Sequence, residues 1–171
     1  MGSATRYTVR KRRRREGKTN YRRRLELLKG RKNRLVIRKT NTQIILQIVK
    51  YEPNGDKVIL TTKSSELKKH GWKYSFKSLP AAYLAGMLLA KNAKEHKVVG
   101  AVLDLGLQTP IHGNRLFSAL KGVIDGGLNV PATDSVFPSE DRLTGKHIAV
   151  YLEKFKNITT DFENLKKEFS K

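Results

Sequence analysis

RLVIRKTNTQIILQIVKYEPNGDKVILTTK, residues 34–63, contains three β-branched apolar runs separated by two turn signals. RLVIRK and QIILQIVKY have the length and composition of strands, and the TNT between them holds Asn41, a residue type suited to tight turns. PNGD at residues 53–56 supplies the Asn-Gly pair favoured in hairpins, and KVILTTK follows as a third run. Three antiparallel strands are therefore expected to open a folded domain at Arg34.

Downstream the apolar period changes from two to 3.6. Ser78 can cap a helix, Pro80 sits where a first turn tolerates it, and AAYLAGMLLAKNAK supplies helix formers with a broad apolar face. VVGAVLDLG, residues 98–106, is a nearly continuous apolar run and is expected to form a buried strand ending at Gly106. Asn114 can cap a second helix with Leu116, Leu120, Val123 and Ile124 on one side, stopped by Gly126 and Gly127. LNVP carries the weak signal of one more short strand. In the last third, Ile148, Tyr151, Leu152 and Phe155 follow helical spacing. Thr160 and Glu163 form a capping-box pattern ahead of Phe162, Leu165 and Phe169, so two short amphipathic helices are expected. The fold class is α/β: a mixed sheet of three antiparallel strands followed by helix, strand and helix. The expected division is a basic tail at 1–33, an α/β domain at 34–130 and a helical extension at 131–171.

Charge separates the tail from the rest. The chain of 171 residues carries 36 Lys and Arg against 15 Asp and Glu, a formal net charge of +21. Of these, 17 cations but only Glu16 and Glu26 among the acids lie at or before Lys39. Such a balance implies a polyanionic partner, and the Arg bias points to nucleic acid, because planar guanidinium groups bind phosphates bidentately and stack on bases. Up to residue 33 the tail lacks the apolar period of a core element. One helix is expected from Asn20 to Leu28, with Tyr21, Leu25 and Leu28 on one face. Mutual repulsion should otherwise leave the free tail extended until phosphates order it.

Other chemistries find little support. The chain has no Cys, so disulfides and thiolate metal sites are excluded. The longest apolar run, near Leu84, is too short to span a bilayer, no secretory signal is expected, and the tail is too densely cationic for a clean transit peptide. GKT at residues 17–19 lacks the preceding Gly and strand of a phosphate-binding loop. His70, His96, His112 and His147 form no helical metal pair, so neither a metal nor a cofactor is expected. Asp104 ends the expected buried strand, as in a two-metal nuclease, but no other acid converges on it in sequence. A role in fixing a loop through backbone hydrogen bonds fits it better.

The cationic segments give the RNA-binding candidates, since aromatic rings and guanidinium planes stack on unpaired bases while cations neutralise the backbone. In the tail these are Arg6, Tyr7, Arg10, Lys11, Arg12, Arg13, Arg14, Arg15, Lys18, Tyr21, Arg22, Arg23, Arg24, Arg31 and Lys32. KKHGWKYSFK, residues 68–77, alternates rings with lysines, which suits core packing for Trp72, Tyr74 and Phe76 and a second RNA-facing patch for the lysines. From this stretch Lys68, Lys69, Trp72 and Lys73 are kept as candidates.

Residues 34–73, LPAAYLAGMLLAKNA, AVLDLGLQTPIHGNRLFSALKGVIDGGL and PSEDRLTGKHIA, in this order, resemble the archaeal branch of the large-subunit ribosomal protein family that binds 5S rRNA, the universal family numbered eighteen. The resemblance implies a ribonuclease-H-like domain of the translational-machinery type without nuclease activity. It also implies a cytoplasmic ribosomal protein, present as a monomer within the ribosome. Its implied partners are 5S rRNA, large-subunit rRNA and neighbouring ribosomal proteins, including the other 5S-binding protein, with no membrane. On that basis Arg38, Lys39, Thr40, Asn41 and Thr42 are the turn residues that approach 5S rRNA, while the tail threads into rRNA and helps anchor the central protuberance. HGNR departs from the small-residue version expected of the family. A DNA-compacting protein and a two-metal nuclease remain the rival readings.

Overall fold

The computed structural model describes residues 8–170, so Arg6 and Tyr7 lie outside the described residues. Three strands, β1 (Asn33–Lys39), β2 (Ile44–Lys50) and β3 (Lys57–Lys63), pair antiparallel as the hairpin signals require. A fourth, β4 (Ala101–Asp104), adds parallel to β1 and gives the strand order β3-β2-β1-β4. Alternation along β1 and β2 sends Leu35, Ile37, Ile44, Leu46 and Ile48 to one face, where all are fully buried. The other face carries Arg34, Val36, Arg38, Gln47 and Val49.

Two helices cover the apolar face: α3 (Leu79–Glu95) and α4 (Arg115–Asp125). Both are capped as their sequences demand. The Ser78 hydroxyl accepts from the Ala81 amide, and the Asn114 side chain accepts from the Leu116 and Phe117 amides. The two helices run parallel, because Leu79 lies beside Ser118, Tyr83 beside Gly122 and Met87 beside Gly126. Glycine makes this approach possible: a Cβ on Gly122 would collide with the Tyr83 carbonyl, and one on Gly86 with the Ala119 carbonyl. The Tyr83 hydroxyl donates to Asp125 at 2.8 Å, which ties the helices together again. Burial and this bond push the Tyr83 phenol far above its ordinary pKa.

Some expectations change. The apolar run at 98–106 is a short strand at the sheet edge, not a buried one: only Ala101–Asp104 pairs, and Val99 is 83% exposed. Beyond β4 the sheet continues only as a single bridge between Gly100 and Asn129, the residue in the weakly signalled LNVP. In the last third, α5 (Glu140–Thr144) and α6 (Lys146–Tyr151) join at Gly145, and α7 (Ile158–Ser170) starts before the anticipated capping box. Thr160 lies inside α7, where its hydroxyl donates to the Asn157 carbonyl instead of capping. Ile158, Phe162, Leu165 and Phe169 form the buried face of α7, as the spacing required. The expected face of α6 does not form: its helix ends at Tyr151, Phe155 turns onto Tyr74, and Tyr151 is left outside.

The glycine contact gives a direct test of helix packing. Gly122→Ala should lower unfolding stability by about 1–3 kcal/mol through overpacking. Urea denaturation would read this as a lower midpoint with an unchanged slope.

A candidate RNA interface built on an ionic clasp

The open sheet face receives the N-terminal segment. Residues 11–19 hold one helical turn, α1 (Arg12–Arg15), closed by Gly17 at a left-handed φ of 62°. The Thr19 amide returns to the Arg13 carbonyl, and Arg13 Nε donates to the Thr19 hydroxyl at 2.9 Å. GKT is thus a turn that reverses the chain. Helix α2 (Tyr21–Lys29) then begins on an Asn20 side chain that accepts from the Arg22 and Arg23 amides.

Helix α2 is docked, not free. Arg24 grips Asp56 with both guanidinium ends, at 2.7 and 2.8 Å. Asp56, at the β2–β3 turn, also takes Arg34 at 2.6 Å, and Arg34 reaches Asp104 at the end of β4 at 2.7 Å. Arg23 adds a bond to the Gly106 carbonyl at 3.2 Å. The bond from Arg24, then the nearby charge of Arg34, holds the Asp56 carboxyl below the usual carboxylate range, and Asp56 in turn raises Arg24. The half-buried face of α2 is therefore Tyr21, Arg24, Leu27 and Leu28, whereas Leu25, expected to face inward, is exposed. This corrects the extended tail: the carboxylates of Asp56 and Asp104 offset the repulsion that charge counting within the tail alone implied.

Arg34 is the centre of this network and only 4% exposed. Asp104 does fix its loop, accepting from the Gly106 amide at 2.9 Å as well as pairing with Arg34. Among the described residues no group of three His, Asp or Glu side chains could hold a metal ion.

The candidate RNA residues fall into three places. Arg10, Lys11, Arg12, Arg13, Arg14, Arg15, Lys18, Arg22, Arg23, Arg31 and Lys32 are exposed along the arm, and Lys11 lies over the Tyr21 ring at 4.7 Å. Arg38, Lys39, Thr40, Asn41 and Thr42 are exposed at the β1–β2 turn. A cleft of about 470 Å³ between arm and sheet brings Arg13, Lys18, Arg23 and Arg38 to one surface. Lys68, Lys69 and Lys73 are exposed elsewhere, before and after Gly71. Trp72 does not belong to an interface: at 2% exposure it packs in the core, so its ring is closed to a base.

The turn is shaped by residues that local patterns missed. Thr40, more than Asn41, organises it: its hydroxyl donates to the Gln43 carbonyl and accepts from the Gln43 amide. Gln108 holds it from the side. Its carbonyl oxygen accepts from the Lys39 amide at 3.1 Å and its amide donates to the Ile37 carbonyl at 2.7 Å, so the side chain replaces a strand beyond the end of β4. No local pattern marks a Gln 71 residues from its partner Ile37.

This is a mixed α/β domain whose acids near the sheet face are engaged by Arg24 and Arg34 while the arginines of α1 project outward, the class of protein suited to lie against an extended polyanion. The family described as ribosomal large subunit proteins 60S L5 and 50S L18 matches residues 5–99 and 91–133. The large ribosomal subunit protein uL18 of Korarchaeum cryptofilum is 51% identical over 154 residues, 90% of this chain and 79% of its own length. That of Methanoregula boonei is 46% identical over 165 residues, 96% of this chain and 95% of its own. The chain belongs to this ribosomal family, as a structural constituent of the large subunit and not an enzyme.

Two outcomes follow for the clasp. Arg24→Gln should free α2, speeding tryptic cleavage within residues 21–29 while leaving the core's midpoint nearly unchanged. Arg34→Gln should instead cost about 3–5 kcal/mol of global stability, because it leaves Asp104 without a cationic partner and Asp56 with Arg24 alone. The pH dependence has a definite sign. Because the folded Asp56 pKa is lowered, its contribution is full above the ordinary carboxylate pKa of about 4 and is lost as pH falls below it. The cleavage rate of the native chain's arm by an acid-active protease should rise over that range.

Proposed function

We propose that this chain binds 5S rRNA and helps anchor it to large-subunit rRNA in the central protuberance, beside the other 5S-binding protein. The observation that carries the reading is the joining of arm and turn on one side of the sheet. Arg38 from the turn and Arg13, Lys18 and Arg23 from the arm line a single cleft. Among the described residues, no carboxylate lies within salt-bridge distance of Arg13, Arg14, Arg15, Arg23, Arg38 or Lys39. The clasp consumes Asp56 and Asp104, so these cations are left for phosphates.

The parts have different tasks. The turn, fixed by Thr40 and Gln108, is rigid enough to read the shape of one RNA, and this gives register and specificity. The arm supplies affinity through many phosphate contacts. Helices α3 and α4 both point their positive N-terminal ends toward the end of the sheet that bears the turn, which adds to the attraction.

Salt titration of 5S rRNA binding against a transfer RNA competitor tests the division. About ten phosphate contacts give a slope of log K against log salt of roughly −7 to −9. Replacing residues 12–15 by Gln should make the slope shallower by roughly 3 while the preference for 5S rRNA survives. Replacing Thr40 and Asn41 by Ala should erase the preference with little change in slope. Equal affinity of the native chain for both RNAs, or for duplex DNA, would overturn the proposal.

A further inference from the structure

Far from the arm in sequence, Val150 and Tyr151 are 87% and 84% exposed, and Leu152 follows them outward. A surface tyrosine ring beside a valine, at the end of a short helix that buries none of its residues, is not explained by packing. Its position is set by the next turn. Phe155 meets Tyr74 edge-on at 5.5 Å, and Tyr74 meets Trp72 in the same way at 4.9 Å. This ladder of rings, closed by the Tyr74 hydroxyl donating to Asp161 at 2.8 Å, seats Phe155, four residues after Tyr151, against the loop that carries exposed Lys73 and Lys77.

The unpaired charge near the ring is positive. Lys154 follows it in the chain, Glu153 beside it is paired with Lys156, and Lys73 and Lys77 are exposed on the loop that carries Tyr74. The nearby carboxylates are engaged: Asp161 by Tyr74, Asp141 by Lys146 at 3.0 Å and Glu153 by Lys156 at 3.7 Å. An apolar protein partner would accept Val150 and Tyr151 but has no use for the exposed lysines that accompany them. Unpaired RNA uses both, stacking a base on the aromatic face while cations neutralise the flanking phosphates.

We propose that Tyr151, with Lys154 and the lysines of the 72–78 loop, forms a second RNA-contact surface that stacks an unpaired nucleotide of the large-subunit rRNA, separate from the surface assigned to 5S rRNA. This rests on the reading that the chain works bound to 5S rRNA, and the test keeps the two apart.

The full chain is first bound to 5S rRNA, and the affinity of that complex for protein-free large-subunit rRNA is then measured for the native chain, Tyr151→Phe and Tyr151→Ala. With so exposed a ring, Tyr151→Ala should keep the native thermal midpoint and the native 5S affinity. It should weaken the second association about 5- to 150-fold, the usual value of one stacked base. Tyr151→Phe, which keeps the ring, should bind as the native chain does. Short-wavelength crosslinking should join the peptide holding Tyr151 to an unpaired nucleotide. Native affinity in Tyr151→Ala, or a defect seen only once other ribosomal proteins are added, overturns the inference and in the latter case assigns the surface to a protein. Loss of 5S binding by the native chain would instead overturn the underlying reading.

Discussion

A buried arginine holds this molecule's functional face together. Arg34 lies in β1, almost without solvent, and must satisfy its charge from the fold around it. Asp56 from the β2–β3 turn and Asp104 from β4 do so, which fixes one end of the hairpin and the tip of the edge strand against each other. Asp56 has capacity left over and uses it on Arg24, so the bond that neutralises the sheet also fastens the helix above it. A buried ion pair need not beat a hydrophobic substitute in stability. What it supplies here is a fixed orientation for a helix with no buried residues of its own.

That arrangement resolves a difficulty in the charge. Seventeen cations within the first 39 residues would drive a free segment apart. Asp56, placed under the segment and not within it, docks α2 through Arg24, and Asp104 holds Arg34 beside it, while the arginines of α1 stay directed outward. The protein thereby presents a partly organised polycationic surface before any RNA arrives. Ordering on binding is then a smaller task than an extended arm would face, and less of the binding energy is lost to it.

Much of this was legible in the sequence, and the parts that were not share a cause. Strands β1 to β3 followed from β-branched runs and an Asn-Gly turn, α3 and α4 from Ser78 and Asn114 caps with apolar spacing, and the buried face of α7 from Phe162, Leu165 and Phe169. Each is a local signal. The clasp joins residues 32, 22 and 70 positions apart, and Gln108 acts across 71. Polar pairs at such distance leave no periodicity behind. Asp104 could be seen to lack carboxylate companions, yet nothing local marked Arg34, at the start of the first expected strand, as its cationic partner. After His70 the alternation of rings and lysines favours the core for Trp72 while the neighbouring cations make it an RNA candidate, and its burial decides for the alternation.

The docked arm is the claim on which the rest turns, and amide hydrogen exchange of the free, full-length protein measures it most directly. At neutral pH and low salt, the amides of residues 24–29, those beyond the first turn of α2, should exchange well below random-coil rates, approaching the slower strands β1 and β2. Exchange of those amides at random-coil rates, with β1 and β2 protected, would contradict the account: the arm would then be ordered only by RNA, and the clasp would not exist in the free chain.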